Sequence, residues 1–303
     1  MAHGFVLIGL AAVSWGTTGS VMTVLWRSAA ASPLLVGTAR LWIAAALLVL
    51  VAGSARTAWT VGGPRQARSV TGRDIARCVL MGACMAGYQA AYFTAVTLSG
   101  IAVAALIAIC SAPLMIAALA SFALGETLGG RVRLALILGV IGTALLIAFP
   151  RGSLDLSPRF VAGALLALAA GLAYALYVIL AKATLARMAP LPLTALTFTA
   201  GAVLLTPAIL WTEAPLRQLA LGWPWLLYLG AVTTAAAYAI YSMGLRRVPA
   251  SVAGIVTLLE PLTATLLGVL IFGERLGSAG TVGTLLLLSA LGLLATGASR
   301  QAN

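Results

Sequence analysis

Ten long apolar runs, separated by short polar loops, constrain this chain more than any other feature. A helix needs about 20 apolar residues to cross the hydrocarbon core of a bilayer. Hydrophobic residues make up 62% of the 303 positions and charged residues only 8%, which leaves too little polar surface for a water-soluble domain. The sequence therefore predicts an all-α, polytopic membrane protein. Predicted spans 1 to 10 cover roughly residues 4–26, 34–53, 75–97, 100–124, 132–149, 159–182, 191–211, 221–244, 249–272 and 279–297.

The basic residues predict the orientation. Lys and Arg are concentrated in the cytoplasmic loops of membrane proteins. Loops on the side of the two termini carry twelve of the eighteen cations, loops on the opposite side carry five, and Arg40 falls inside span 2. We therefore expect both termini to be cytoplasmic, and we attribute the net charge of +12 to this bias rather than to nucleic-acid binding. The first apolar run has no basic segment before it and no small-residue cleavage site, so we expect a retained span rather than a signal peptide.

One segment of the chain occurs twice. Residues 100–129 and 248–277 match at ten of thirty positions without a gap, and Pro113 aligns with Pro261. The two copies contain spans 4 and 9, which are five spans apart and therefore cross the membrane in opposite directions. This predicts two inverted five-helix repeats, the usual architecture of secondary transporters, with the substrate held near the midplane where the halves meet. The predicted repeats are residues 1–150 and 151–303.

The two copies differ beside the proline, where Ala112 precedes Pro113 but Glu260 precedes Pro261. Both prolines are expected to break their helices, and Pro261 should leave the carbonyl of Thr257 without its helical partner. A carboxylate in the middle of a span is costly in lipid, so Glu260 should face protein or water. It either binds an ammonium group or a proton, or it is a structural carboxylate satisfied by neighbouring hydroxyls. We favour the functional interpretation, because ionisable groups within membranes usually serve function.

Arg40 lies two turns inside span 2, away from the ends of the span. It either binds a substrate carboxylate, or pairs with Glu260 as a gate, or extends to the outer interface or braces helix ends. We favour the last interpretation, since Arg40 is within reach of the membrane surface.

Polar and aromatic side chains cluster near the middle of particular spans, several at the i, i+4 spacing that places both on one helix face. Spans 5 and 10 offer little at this depth, so we expect spans 1, 3, 6, 8 and 9 to surround a cavity. Any one tyrosine can instead be a packing residue or part of an interfacial belt, Tyr228 and Tyr241 above all. The predicted cavity residues besides Glu260 are Ser14, Trp15, Thr18, Tyr88, Gln89, Tyr92, Ser111, Tyr174, Tyr177, Thr234 and Tyr238.

Catalytic motifs are absent from the sequence. The one histidine is His3, and no nucleotide-binding, serine-hydrolase or zinc-protease signature occurs. The three cysteines lie in apolar runs, so we expect no metal, no cofactor and no enzymatic activity. The pairs Gly125-Glu126 and Gly273-Glu274 are expected to end spans 4 and 9 and to give the next helix a favourable first-turn carboxylate.

In its ten spans, its inverted repeat and its motifs, the chain resembles the EamA-type exporters of the drug/metabolite transporter superfamily over nearly its whole length. The residues that carry the resemblance are Arg40, Pro113 with Gly125 to Leu128, and Pro249 through Glu260-Pro261 to Leu276. The resemblance implies a central cavity lined by both halves and export of small metabolites, often amino acids, across the bacterial inner membrane. The likeness is greatest to exporters of aromatic and neutral amino acids. Ala112 departs from symmetry, so proton coupling through a symmetric pair of acids is not expected.

These observations predict a secondary active or facilitative transporter that exports amino acids or similar small metabolites by alternating access. Its partners would be the solute, membrane lipid and, as a candidate coupling ion, the proton. An exporter of drugs or nucleobases is the nearest alternative within transporters. A membrane-embedded enzyme or a sensor is the alternative from another class.

Overall fold

The computed structural model describes residues 1–54, 70–147, 157–272 and 277–300, and within these ranges the regular structure is entirely helical. Nine helical segments of the described chain are long and apolar enough to cross a membrane. A further helix, Gly130–Ile147, occupies the place of predicted span 5. Large apolar side chains such as Leu50 and Leu165 point outward, 69% and 61% exposed, as expected of a surface that faces lipid. The predicted all-α polytopic fold is confirmed.

The spans keep their predicted order, and four of them consist of more than one helical segment. Their bounds are Ala2–Gly16 and Thr18–Ala29 (span 1), Pro33–Ser54 (span 2), Gly72–Ser99 (span 3), Ile101–Ala123 (span 4), Gly130–Ile147 (span 5), Pro158–Thr184 (span 6), Pro190–Leu205 with the 3-10 turn Thr206–Trp211 (span 7), Pro215–Gly230, the π-helical segment Ala231–Ala236 and Ala237–Leu245 (span 8), Ala250–Val256 and Leu259–Phe272 (span 9), and Ser278–Arg300 (span 10).

The contacts between spans are those expected of inverted repeats. Span 1 packs against span 8, and span 6, its counterpart in the other half, packs against span 3, the counterpart of span 8. Span 2 packs against span 7, and span 5 against span 10, so each of these pairs joins equivalent helices of the two halves. The boundary between the repeats stays a prediction, because residues 148–156 lie outside the described ranges.

Glycines let helix backbones approach closely at two of these contacts. A Cβ atom on Gly142 of span 5 would lie 2.8 Å from the carbonyl oxygen of Gly283 in span 10. A Cβ atom on Gly82 of span 3 would lie 2.7 Å from the backbone nitrogen of Gly201 in span 7. Small residues at such positions allow the dense packing that holds helices together in lipid.

Span 9 is interrupted at Thr257–Leu258, just before Pro261. The Glu260 amide donates to the carbonyl of Thr257 at 3.0 Å, three residues back, and the Leu258 amide donates to that of Ile255 at 3.1 Å. The expectation of a free Thr257 carbonyl is therefore not met. The chain before Pro261 forms a tighter, 3-10-like turn. In this turn the Thr257 carbonyl accepts a hydrogen bond from the Glu260 amide in place of the one that Pro261 cannot donate.

Span 4 differs from its copy, since it runs without a break from Ile101 to Ala123 and contains Pro113 in its interior. The expected helix break at Pro113 is therefore not found. A proline removes one helical hydrogen bond, and neighbouring helices in a membrane often support the helix across that gap. The same proline in two equivalent helices thus gives a continuous helix in one and an interrupted helix in the other.

Candidate functional site

Glu260 is the second residue of the segment that follows the break in span 9. The carboxylate therefore lies at the start of a helical segment, where unpaired amides and the helix dipole favour negative charge. Glu260 is partly accessible, and its carbonyl oxygen packs against Gly16 of span 1. The interrupted span thus presents an acid to an interior space rather than to lipid.

The break in span 9 lies against the break in span 1. Span 1 is interrupted at Thr17, whose hydroxyl donates to the carbonyl of Ser14 at 2.8 Å. A Cβ atom on the adjacent Gly16 would lie 2.7 Å from the Glu260 carbonyl oxygen and 2.5 Å from the Cβ atom of Thr263. Two interrupted helices that meet near the midplane are a recurrent setting for substrate and ion sites in secondary transporters.

Arg40 points into the bundle. Its Nε donates to the hydroxyl of Thr234 in span 8 at 3.0 Å. From the sequence we favoured an Arg40 that extends to the outer interface or braces helix ends, and the bond between spans 2 and 8 is compatible with the second of these. Arg40 and Glu260 are both partly accessible and make no ion pair with each other. The two ionisable groups therefore do not neutralise each other directly.

Five of the predicted tyrosines form a continuous series of ring contacts across spans 3, 6 and 8. Ring centroids are 5.9 Å apart for Tyr88 and Tyr92, and 6.0 Å apart for Tyr88 and Tyr174. The series continues at 6.1 Å from Tyr174 to Tyr177 and at 6.0 Å from Tyr177 to Tyr238. Tyr238 also packs against Trp15, the residue before the Gly16 that contacts the Glu260 carbonyl. The predicted aromatic residues thus form one cluster beside the break that carries Glu260.

Four aromatic side chains close the interior space on the side of the termini. Trp15 lies 4.7 Å from Tyr238 and 5.3 Å from Tyr241, measured between ring centroids. Trp15, Tyr177, Tyr238 and Tyr241 are at most 5% exposed, whereas Tyr88, which lies nearer the opposite side, is partly accessible. We call these four residues the aromatic floor. The rings of the aromatic floor are thus tightly packed, whereas Glu260 and Tyr88 are partly accessible.

Several polar atoms in this region have no protein partner. Ser14 Oγ, Trp15 Nε1 and Gln89 Nε2 are buried and make no hydrogen bond to the described residues. Buried polar atoms in proteins are nearly always paired with protein or water. These three atoms are therefore suitable positions for water or for a bound solute.

The remaining predicted residues take different places. The Ser111 hydroxyl donates to the carbonyl of Ala108 at 3.3 Å and packs against Gly171 of span 6, so it belongs to a helix contact. Thr18 is partly accessible at the start of the second segment of span 1. Tyr228, expected in an interfacial belt, forms a 2.8 Å hydrogen bond with Thr17 across the break in span 1. Tyr228 could have been identified only if the break in span 1 had been predicted, and no sequence pattern indicates that break.

Glu126 binds the first turn of span 9. Its Oε1 accepts from the Ala250 amide at 2.6 Å, and its Oε2 accepts from the Ser251 amide at 3.1 Å and the Ser251 hydroxyl at 2.7 Å. The sequence led us to expect a first-turn carboxylate for span 5, whereas Glu126 instead caps a helix of the other half. The second pair, Gly273-Glu274, lies outside the described residues.

Lys182 binds the end of span 8 in the same loop. Its Nζ donates to the carbonyls of Leu245 at 2.8 Å and Val248 at 2.6 Å. Glu126 thus neutralises the positive end of one helix, and Lys182 the negative end of the preceding helix. We call Glu126 and Lys182 the loop clamp, because together they hold residues 245–251 on the side of the termini.

Removing the Glu126 carboxylate should destabilise the protein. We expect Glu126→Gln to lower the free energy of unfolding by about 1–2 kcal/mol, the usual contribution of a helix cap. Thermal unfolding in detergent measures this as a lower midpoint. Glu213→Gln is the matched control, because Glu213 is an exposed acid on the opposite side of the membrane. Equal midpoints for the two variants would show that the cap contributes nothing.

An apolar groove lies apart from this region, on the outer surface between spans 2, 7 and 8. Its lining includes Leu35, Trp42, Ile209, Trp223 and Leu226. A surface of this composition in a membrane faces acyl chains. Apart from Thr38 the lining is apolar or aromatic, in contrast to the polar side chains near Glu260.

Comparison with known proteins shows which family this architecture represents. The model of the EamA-like transporter family matches residues 2–148 and again residues 161–296. The chain belongs to the EamA-like transporter family. This EamA-like protein is 36% identical to the uncharacterized transporter YwfM of Bacillus subtilis (strain 168), over 97% of this chain and 93% of that protein.

Two further comparisons agree with this membership. An uncharacterized transporter of Archaeoglobus fulgidus is 30% identical over 66% of this chain and 69% of its own length. A crystal structure with 20% sequence identity superposes with a TM-score of 0.77 and covers 98% of both chains, which shows a shared fold. The EamA-like chain is therefore a multi-pass membrane transporter, and the resemblance found in its sequence is confirmed.

Proposed function

We propose that this transporter moves a neutral or aromatic amino acid, or a small metabolite of similar chemistry, out of the cytoplasm by alternating access. Its place would be the bacterial inner membrane, with both termini cytoplasmic as the distribution of Lys and Arg indicates. The observation that carries the proposal is Glu260, a partly accessible acid where the breaks of spans 1 and 9 meet.

Glu260 supplies the chemistry that an amino group needs. A carboxylate surrounded by tyrosine rings binds an ammonium group by charge and by the attraction of cations to aromatic faces. The rings of Tyr88 and Tyr174 offer stacking surfaces for an apolar or aromatic side chain. The same carboxylate can instead take up a proton, so solute binding and proton binding at Glu260 would compete. This competition supports an exchange of solute for protons, with facilitated diffusion as the uncoupled form.

The aromatic floor supports alternating access. In the state described, the contacts of Trp15 with Tyr238 and Tyr241 close the side of the termini. If these ring contacts opened and the space above Tyr88 closed, the same site would become accessible from the side of the termini. Spans 1, 3, 6 and 8 carry the rings concerned and come from both halves, so a rocking of one half against the other would move them together.

The test is counterflow into liposomes that contain the purified protein and are preloaded with unlabelled solute. The panel includes neutral, aromatic and acidic amino acids, nucleobases and a polyamine, each with and without a pH gradient. We expect saturable exchange of one or more neutral or aromatic amino acids, and none in protein-free liposomes. Exchange restricted to nucleobases or drug-like cations would replace the proposed solute, and the absence of all exchange by folded protein would favour a sensor or an enzyme.

A further inference from the structure

The guanidinium of Arg40 is held at one edge and free at the other. Its Nε donates to Thr234, whereas its two Nη groups make no hydrogen bond or ion pair with the described residues. The side chain is partly accessible, as is that of Glu260. The planar fork of an arginine binds a carboxylate through two parallel hydrogen bonds, and the terminal Nη pair is one of the edges that can do so.

The π-helical segment of span 8 places the residue that orients Arg40. The Thr234 hydroxyl donates to the carbonyl of Leu229, five residues back, at 2.8 Å, and the neighbouring Thr233 hydroxyl donates to the same carbonyl at 2.9 Å. The wider turn of Ala231–Ala236 thus leaves a lone pair of Thr234 directed toward span 2. Segments of this kind in membrane and soluble helices are frequent at functional sites.

Arg40 and Glu260 carry opposite charges when both are ionised, and they make no ion pair. Thr234, which binds Arg40, lies one helical turn from Tyr238, whose ring lies 4.7 Å from that of Trp15. The residue after Trp15 is Gly16, which packs against the Glu260 carbonyl, so these contacts connect the two ionisable groups through the same part of the bundle. A free amino acid carries the complementary pair of charges on one carbon atom. Binding it would neutralise both protein charges at once, whereas a simple amine or a simple acid would leave one of them unpaired.

We propose that Arg40, oriented by Thr234, is the carboxylate subsite of this transporter, so that the cavity selects zwitterions over amines of the same shape. The inference rests on the proposed function, in which Glu260 binds the ammonium group. It adds a second anchor that determines specificity. The competing account is that Arg40 serves as a brace between spans 2 and 8 and never contacts the solute.

The experiment compares an exchanged amino acid with its methyl ester, its amide and the amine that lacks the carboxylate, as competitors of counterflow. We expect the wild-type protein to prefer the free amino acid by at least about tenfold, the usual effect of one charge-assisted interaction. Arg40→Gln should abolish this preference by weakening the apparent affinity for the amino acid while leaving that for the amine nearly unchanged. A brace would affect the amino acid and the amine alike, so an unchanged preference ratio in Arg40→Gln overturns the proposal.

A second variant covers the case in which Arg40→Gln does not fold. Thr234→Val keeps the arginine and releases its Nε, so the preference should fall by a smaller factor, about threefold or more. Thr233→Val is the matched control, because Thr233 is equally buried and binds the same carbonyl without contacting Arg40. Equal effects of the two threonine variants contradict the proposal. If the wild-type protein exchanges amino acids and amines equally well, this inference fails alone; if it exchanges no amino acid, the proposed function fails with it.

Discussion

Glu260→Gln should lower amino-acid counterflow by at least about tenfold. The substitution keeps the size and the hydrogen-bonding oxygen of the side chain but removes the negative charge that an ammonium group or a proton requires. A charge-assisted hydrogen bond contributes about 1.5–3 kcal/mol, which corresponds to a factor of about 10 to 100 in affinity. Any pH dependence of exchange that originates in this carboxylate should disappear as well. Counterflow in liposomes at several pH values measures both effects.

Two variants separate this effect from a general loss of charge. Glu260→Asp keeps the charge on a shorter side chain and should retain part of the exchange. Glu213→Gln removes an exposed acid outside the bundle and should leave exchange unchanged. Wild-type rates and an unaltered pH profile in Glu260→Gln would exclude the proposed role and leave Glu260 as a structural carboxylate.

Gly16→Ala should both destabilise the protein and slow transport. The added methyl group would lie 2.5 Å from the Cβ atom of Thr263 and 2.7 Å from the Glu260 carbonyl oxygen, so spans 1 and 9 must move apart at their breaks. Overpacking of this kind costs about 1–3 kcal/mol. Thermal unfolding in detergent measures the loss of stability. Counterflow measures the slower transport that displacement of the Glu260 backbone should cause.

Gly19→Ala is the control for the Gly16 variant. It lies in the same span, and a Cβ atom there meets no atom within 4 Å. Alanine is a better helix former than glycine by up to about 1 kcal/mol, so this variant should be as stable as the wild type or more stable. A similar loss of stability in both variants would show that close contact at Gly16 is not the cause.

Much of the fold follows from the sequence because bilayer thickness fixes the length of each span. Apolar runs of about 20 residues must then be helices, and counting them places Glu260 near the midplane of span 9. The repeat predicts the relative orientation of the two halves, because copies that are an odd number of spans apart cross the membrane in opposite directions. The aromatic cluster follows from the depth of its members in the membrane as well. Tyr88, Tyr174 and Tyr238 each occur midway along a predicted span, so their rings lie at a similar level in the bundle.

The details of the site depend on tertiary contacts that no local pattern encodes. Arg40 turns inward because Thr234, 194 positions away, offers it a hydroxyl, and the sequence contains nothing that announces the π-helical segment. Pro113 and Pro261 have the same local chemistry, yet only span 9 is interrupted. A glycine of a neighbouring helix packs close to both prolines, Gly16 beside Glu260 and Gly171 beside Ser111, so this contact does not explain the difference. Equivalent sequences in the two halves therefore acquire different structures.

The loop clamp recognises mainly main-chain atoms. Glu126 accepts two amide hydrogens, and Lys182 donates to carbonyl oxygens, so the side chains of Arg246 and Arg247 take no part in these bonds. Substitutions at those two positions would leave the clamp intact, while a single inserted residue would move every amide and carbonyl out of reach. The charge of this loop can thus change without loss of the clamp, provided that the length of the loop stays constant.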